Sequence, residues 1–399
     1  MNVSFENKMD KKISTAIFVQ FAVLTIQYLV LYFFRIEESS VGTSIKILSK
    51  IIVGIFFLIV LKDVLRREYK LIIITYCISI IFFLLNILLF PQNIESIKSI
   101  VFDFFFICLP CFIYSFSINN FDILYKTFEK ICNIVLVVGL IISLLDFSNK
   151  IDVGTYSMTL SYYLLIPSLL YLYKFLNEVS IKYFVLFLIS FISVLLLGAR
   201  GPILCIAVYT IIYLVNSIRG KNSVKKTIVY FILIILLLTG VIFLKEILLL
   251  INNILNKYNI YSRTINLLLN EKVILSGREY LYTDAIKLIK KYPIIGIGIA
   301  GDRYYLGGYV HNLFFELLLD FGCFIGLLIC FVLIVIFIKS NFFTSKKIAN
   351  LTSIFFCLGV VPLMISSSYL INAWFWIYLG IVLKLLTNKK QCKFLETRN

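Results

Sequence analysis

Long apolar stretches alternate with short polar ones along almost the whole chain. The apolar runs are about 17 to 25 residues long, the length a helix needs to cross the hydrocarbon core of a bilayer. Twelve are read, at 13–34, 45–61, 71–90, 99–116, 131–145, 156–173, 183–197, 202–217, 227–244, 312–338, 351–367 and 370–386. The pattern predicts an all-α polytopic membrane protein of about twelve transmembrane helices. The first run follows Lys8, Lys11 and Lys12 as a signal peptide would, but it is too long and lacks a small-residue cleavage site, so it is expected to stay as an anchor.

Only one connection is large. Residues 245–310 separate the ninth and tenth runs, and connections of this length usually carry function or disorder. Richness in Ile, Leu and Tyr argues against disorder. Tyr280, Leu281, Ala285, Leu288 and Ile289 recur at helical spacing, with Asp284, Lys287, Lys290 and Lys291 elsewhere on the wheel, which predicts an amphipathic helix. Pro293 ends that helix at Lys291 or Tyr292, and Gly296, Gly298 and Gly301 permit tight turns after it. Three parts follow: transmembrane helices 1–9 over residues 1–244, a large extracytoplasmic catalytic loop over 245–310, and transmembrane helices 10–12 with a short cytoplasmic tail over 311–399.

Charge sets the expected orientation. With the N-terminus inside, the inner segments carry 23 of the 38 basic residues, against six in the short outer segments. This asymmetry predicts that both termini are cytoplasmic. The net charge of +17 is then mostly topogenic charge along an anionic inner leaflet, and no nucleic-acid partner is implied. A 61% hydrophobic composition and a mean hydropathy of +0.99 leave too little polar surface for a soluble protein of this length. None of the nine cysteines pairs with another in an outer loop, so no disulfide framework is expected. Cys108 and Cys111 form a C-x-x-C inside an apolar run without a second ligand pair, which reads as packing; no metal is assigned and no cofactor is implied.

The large loop holds nine basic residues against five acidic ones, on the side where topology normally excludes positive charge. Three arginines flanked by glycine stand out: Arg200 in Gly198-Ala199-Arg200-Gly201, Arg278 in Ser276-Gly277-Arg278, and Arg303 in Gly301-Asp302-Arg303. A guanidinium fork suits phosphate oxygens, and three such sites together point to diphosphate binding, although each arginine alone is equally an interfacial residue reaching for headgroups. His311 is the sole histidine and should lie near the outer membrane boundary. Two readings are open for it: an interfacial histidine, or a general base that deprotonates a sugar hydroxyl. After it, Asn312, Glu316 and Asp320 share one helix face, which must point into protein or a wet cavity and could wall an active site.

The stretch SGREYLYTDAIKLIKKYPIIGIGIAGDRYY, followed by HNLFFELLLDFGCFIGLL, resembles the O-antigen polymerase and O-antigen ligase family. There S-G-R, a helix, P-x-x-G-x-G and H-N mark a large periplasmic loop. LLLGARGPILCIA is similar to the family's S-R-G motif, with Gly198-Ala199 in place of the usual small hydroxyl residue and Arg200 matching. The resemblance implies metal-independent, inverting transfer of glycans carried on undecaprenyl diphosphate. It gives Arg200 and Arg278 the diphosphate and places His311 close to the acceptor, with Arg303 as a supporting candidate. The expected product enzyme is a polymerase, moving a growing glycan onto another lipid-linked repeat unit; a ligase that delivers finished glycan to lipid A core or another acceptor shares these motifs. Expected partners are lipid-linked donor and acceptor, the bilayer, a chain-length regulator and a flippase. A lipid-linked oligosaccharide flippase or transporter is the alternative of another class, and it predicts repeated halves and midplane charges that the chain does not display. High Ile, Lys, Asn, Phe and Tyr content suggests a bacterium with an AT-rich genome, placing the chain in the cytoplasmic (inner) membrane with either O-antigen or capsule as product.

Overall fold

The computed structural model describes residues 3–148, 151, 157–197, 199–218, 226–228, 230, 244–257, 269 and 278–387. Most of the run expected at 227–244, residues 258–268 and 270–277 of the large loop with Ser276 and Gly277, Gly198, and the tail beyond 387 lie outside the described residues. The regular elements described are all helical: α1 (Val3–Phe33), α2 (Ser40–Leu89), α3 (Ile94–Asp103), α4 (Leu109–Phe116), α5 (Phe121–Phe147), α6 (Met158–Glu178), α7 (Ile181–Leu196), α8 (Arg200–Ile218), α9 (Leu244–Lys257), α10 (Arg278–Lys291), α11 (Gly301–Leu306), α12 (Leu313–Phe342), α13 (Lys346–Gly359) and α14 (Ala373–Thr387). Helices answer the solvent, because in hydrocarbon each backbone N–H and C=O must find its partner inside its own segment.

Among the described residues, seven helices are long and apolar enough to cross a membrane. The runs expected at 45–61 and 71–90 both fall within α2 apart from Phe90, and α2 consists of two helices joined across a kink at Glu68. The polar stretch between them, expected as a connection, is helical except at Glu68 (φ −136°, ψ 34°). Its charges are paired: Glu68 accepts from Lys384 at 2.8 Å, and Arg67 binds Asp10. The runs at 183–197 and 370–386 correspond to shorter apolar helices.

The chain divides into two compact units. One comprises Phe18–Phe56 and Tyr125–Ile274, where α6 packs on α7 around Leu136, Leu160, Leu164, Tyr171, Val194 and Leu197, and buried Lys174 pairs with Glu129. The other comprises Met1–Ile17, Phe57–Leu124 and Leu275–Asn399. Its core joins Phe83, Ile97, Phe104, Cys108, Leu313, Leu317, Leu363 and Phe375. Cys108 and Cys111 are fully buried here, and the Cys108 thiol donates to the Leu370 carbonyl at 3.7 Å.

The amphipathic helix forms as α10 and stops at Lys291, two residues before Pro293. Ala285 is buried with Tyr282, Leu288 and Ile289 packed around it, whereas Tyr280, expected on that face, is 80% exposed. Five residues at 100° each carry Tyr280 about 140° round the wheel from Ala285, so Tyr282 takes its place.

After α10 the chain turns through Gly296 (φ 77°) and Gly298 (φ 82°) and locks onto α12. Ile297 N–H donates to Leu319 O and Cys323 N–H to Pro293 O, each at 2.7 Å. Asn86 Oδ1 accepts from Ile299 N–H at 2.7 Å, and Asn93 Nδ2 donates to Ile297 O at 2.8 Å. α12 is broken at Gly322 (φ 76°, ψ 174°), a conformation essentially restricted to glycine, and the turn supplies the partners that the break removes. A Cβ at Gly322 would lie 2.2 Å from Ile294 O. Gly322→Ala is therefore expected to destabilise by on the order of 1–3 kcal/mol from backbone strain before any clash. The thermal midpoint of detergent-purified protein should fall clearly. Gly54→Ala, in α2 with open space where its Cβ would stand, should leave that midpoint unchanged or slightly raised.

Candidate functional site

Arg278, the first residue of α10, donates through Nη1 to the backbone carbonyl of Ile365. That carbonyl belongs to the connection between α13 and α14, where a short 3-10 turn (Val361–Met364) leads into Ser366-Ser367-Ser368-Tyr369. Arg278 and this connection form one side of the site.

The other side is built from α11 and the turn after it. Asp302 is fully buried and accepts from Val310 N–H (3.0 Å), Arg303 N–H (2.9 Å) and Arg303 Nη1 (2.8 Å). Burial pushes the Asp302 carboxyl up, while the Arg303 guanidinium and the two backbone donors pull it back. Arg303 also donates through Nη2 to Ser368 Oγ at 2.8 Å, its Nη1 lies 3.7 Å from Glu316 Oε1, and its plane sits 5.5 Å from the Tyr309 ring centre.

His311 follows in a left-handed conformation (φ 56°), which costs a residue with a Cβ on the order of 1–2 kcal/mol. The hydrogen bonds on either side hold it there: Val310 N–H on Asp302, and Asn312 Oδ1 capping α12 by accepting from Phe314 and Phe315 N–H at 3.0 and 3.2 Å. The imidazole packs on Tyr309, ring centres 4.2 Å apart, and hydrogen bonds the Ser366 backbone. Nδ1 is buried without a partner among the described residues. Burial lowers the pKa of this ring below 6.5, and the Arg278 charge, with a smaller contribution from Arg303, lowers it further against the Ser366 bond. At neutral pH the site presents a neutral base beside two guanidiniums.

The shared face of α12 turns into protein. Glu316 accepts from Ser368 Oγ, and Asp320 Oδ2 accepts from the Tyr369 hydroxyl at 2.7 Å; Glu316 Oε2 and Asp320 Oδ1 have no partner among the described residues. Arg278, Arg303, His311, Asn312, Glu316 and Asp320 thus share one unit, whereas Arg200 opens α8 in the other. Ser366, Ser368 and Tyr369 were not singled out from the sequence. Ser366 and Ser367 close the run expected at 351–367, and nothing in the spacing of the three serines marks them as part of a site.

Because His311 is the only histidine, its titration can be followed without assaying any reaction. Modification by diethyl pyrocarbonate, which attacks neutral imidazole, should show a pH midpoint below 6.5. Arg278→Gln removes the second-largest cause of the lowered pKa, so the midpoint should rise toward 6.5. An unchanged midpoint in the variant would show that the guanidinium does not act on the ring.

No curated protein and no solved structure matches the chain. The family model of the O-antigen ligases matches residues 185–331, a little over a third of the chain. The matched stretch contains Arg200, Arg278, Arg303 and His311 and ends within α12. Residues 185–331 are thus similar to the O-antigen ligase family, to which the S-G-R, P-x-x-G-x-G and H-N motifs also point.

Proposed function

We propose that this chain is a bacterial polysaccharide polymerase. It transfers a growing glycan from undecaprenyl diphosphate onto the terminal sugar of another lipid-linked repeat unit at the extracytoplasmic face of the cytoplasmic membrane. The domain match supports an O-antigen polymerase or ligase type of function. The observation that carries the chemistry is the imidazole held beside Arg278, with burial and that guanidinium favouring its neutral form.

In the proposed step the acceptor hydroxyl attacks the anomeric carbon of the donor and a new C–O bond forms on the face opposite the diphosphate. The C–O bond to the diphosphate breaks, its electron pair leaves with undecaprenyl diphosphate, and the hydroxyl proton passes to the His311 imidazole. Inversion follows from a single displacement. Arg278 binds the diphosphate, since a fixed guanidinium offsets the charge that grows on the leaving oxygen, and the family motif gives Arg200 a diphosphate-binding role as well. Arg303 adds positive charge from within its ion pair with Asp302. Asn312 caps the helix that follows the base, and Glu316 and Asp320 carry the wall behind it.

The name of the matched family favours a second reading, transfer of finished glycan to a final acceptor. Deleting the gene from its host and complementing with wild type, His311→Ala, Arg278→Lys or Arg200→Lys at matched membrane abundance separates the two. For a polymerase, deletion leaves single repeat units on the final acceptor, and the three variants fail to restore long chains. Long glycan accumulating on undecaprenyl diphosphate would establish the ligase instead. Full complementation by all three variants would remove the site assignment and return the transporter reading.

A further inference from the structure

The cluster behind His311 contains more than the reaction uses. Arg303, Glu316 and Ser368 come from three separate segments, α11, α12 and the α13–α14 connection, and meet in the protein interior. We propose that Arg303 is the positioning residue for His311, anchored by Glu316 and Ser368, and that it does not bind the diphosphate. The inference rests on the reading of His311 as general base.

Three observations support it. First, the terminal nitrogens of Arg303 already have protein partners: Nη1 is on Asp302 at 2.8 Å with Glu316 at 3.7 Å, and Nη2 is on Ser368 at 2.8 Å. Its side chain is only 12% exposed. An incoming diphosphate would have to displace two carboxylates and a hydroxyl. Second, the Ser368 hydroxyl is used to capacity. It accepts from Arg303 Nη2 and from Leu370 N–H (3.3 Å) and donates to Glu316, which fills one donor and two acceptor positions. Such a hydroxyl fixes the 366–368 segment rather than waiting for a ligand.

Third, the fixed segment is the one that orients the base. The Ser366 carbonyl accepts from the Tyr309 hydroxyl at 3.3 Å and is the backbone partner of the His311 ring. Tyr309 lies against both the Arg303 guanidinium, at 5.5 Å, and the His311 ring, at 4.2 Å. Arg303 therefore reaches His311 by two routes, through the Tyr309 face and through Ser368 to Ser366. Asp302 completes the frame by holding Val310, the residue before His311. A lysine at 303 would keep the charge but could not bridge Asp302 and Ser368 at once.

The experiment measures glycan transfer in membrane vesicles from the host, supplied with its own lipid-linked repeat units. Arg303→Lys and Ser368→Ala are compared with Arg278→Lys and His311→Ala, with abundance and detergent elution as folding controls. Positioning predicts that Arg303→Lys and Ser368→Ala lower kcat at least tenfold while KM stays within about threefold, and that Ser368→Thr restores much of the loss. Arg303→Gln should also move the acid limb of the pH profile upward, because the guanidinium lowers the His311 pKa, whereas Ser368→Ala should leave that limb in place. A rise in KM for Arg303→Lys matching that for Arg278→Lys, with kcat preserved, would make Arg303 a diphosphate ligand and overturn the proposal. Wild-type kinetics in both Arg303→Lys and Ser368→Ala would overturn it too, with His311→Ala inactive showing that the base assignment survives. If His311→Ala is itself fully active, the underlying reading fails. Should Arg303→Lys not fold, Ser368→Ala, which removes a single hydroxyl, decides alone.

Discussion

Away from water, an unpaired backbone group or charge costs several kcal/mol, and this constraint governs most of what the chain does. Helices satisfy it wherever the sequence is uniformly apolar. Where a helix is interrupted, another segment must supply the missing partners. The break of α12 at Gly322 exists only because the Pro293–Gly298 turn presents a carbonyl to Cys323 and an N–H to Leu319 O. The same contact, with Asn86 and Asn93 holding Ile297 and Ile299, fixes where the chain re-enters α11. A local irregularity in an apolar helix thus sets the position of Asp302, and through it that of His311.

Side-chain charge obeys the same rule. Arg67 with Asp10, Lys384 with Glu68 and Lys174 with Glu129 each join residues distant in sequence. Buried pairs of this kind contribute little net stability over apolar residues of similar volume, but removing one member leaves an uncompensated charge worth about 3–5 kcal/mol. Their effect is to fix which segments meet. The cluster at Arg303 differs in composition: one guanidinium faces Asp302 and Glu316, with Asp320 one turn further on. An excess of buried carboxylate over guanidinium is hard to justify as a device for gripping an anion, and easier to understand as a rigid frame behind one.

The sequence was informative where chemistry is periodic or monotonous. Apolar runs located α1, α5, α8 and α12, and the 3.6-residue period with Pro293 located α10 and its end. Its reach ended where pairing depends on residues far apart. The 62–70 stretch, charged enough to read as a connection, holds the kink at Glu68, and Asp10 and Lys384 neutralise part of its charge from elsewhere in the chain. The site was half legible: Arg278, Arg303 and His311 announce themselves by type and by glycine neighbours. Ser366, Ser368 and Tyr369 are ordinary at a membrane boundary, and only the fold brings them to His311, Arg303 and Asp320 respectively.

On the proposed reading, Arg278, the larger of the two charges that lower the His311 pKa, is the one a diphosphate offsets, so an anionic donor arriving there reverses part of the shift. The ring therefore gains proton affinity when donor is bound, whereas before binding burial and the Arg278 charge favour its neutral form. The arrangement couples base strength to donor occupancy through charge alone, and it requires the imidazole to be held firmly in one orientation. A left-handed residue braced on both sides by buried polar contacts meets that requirement better than a flexible loop could.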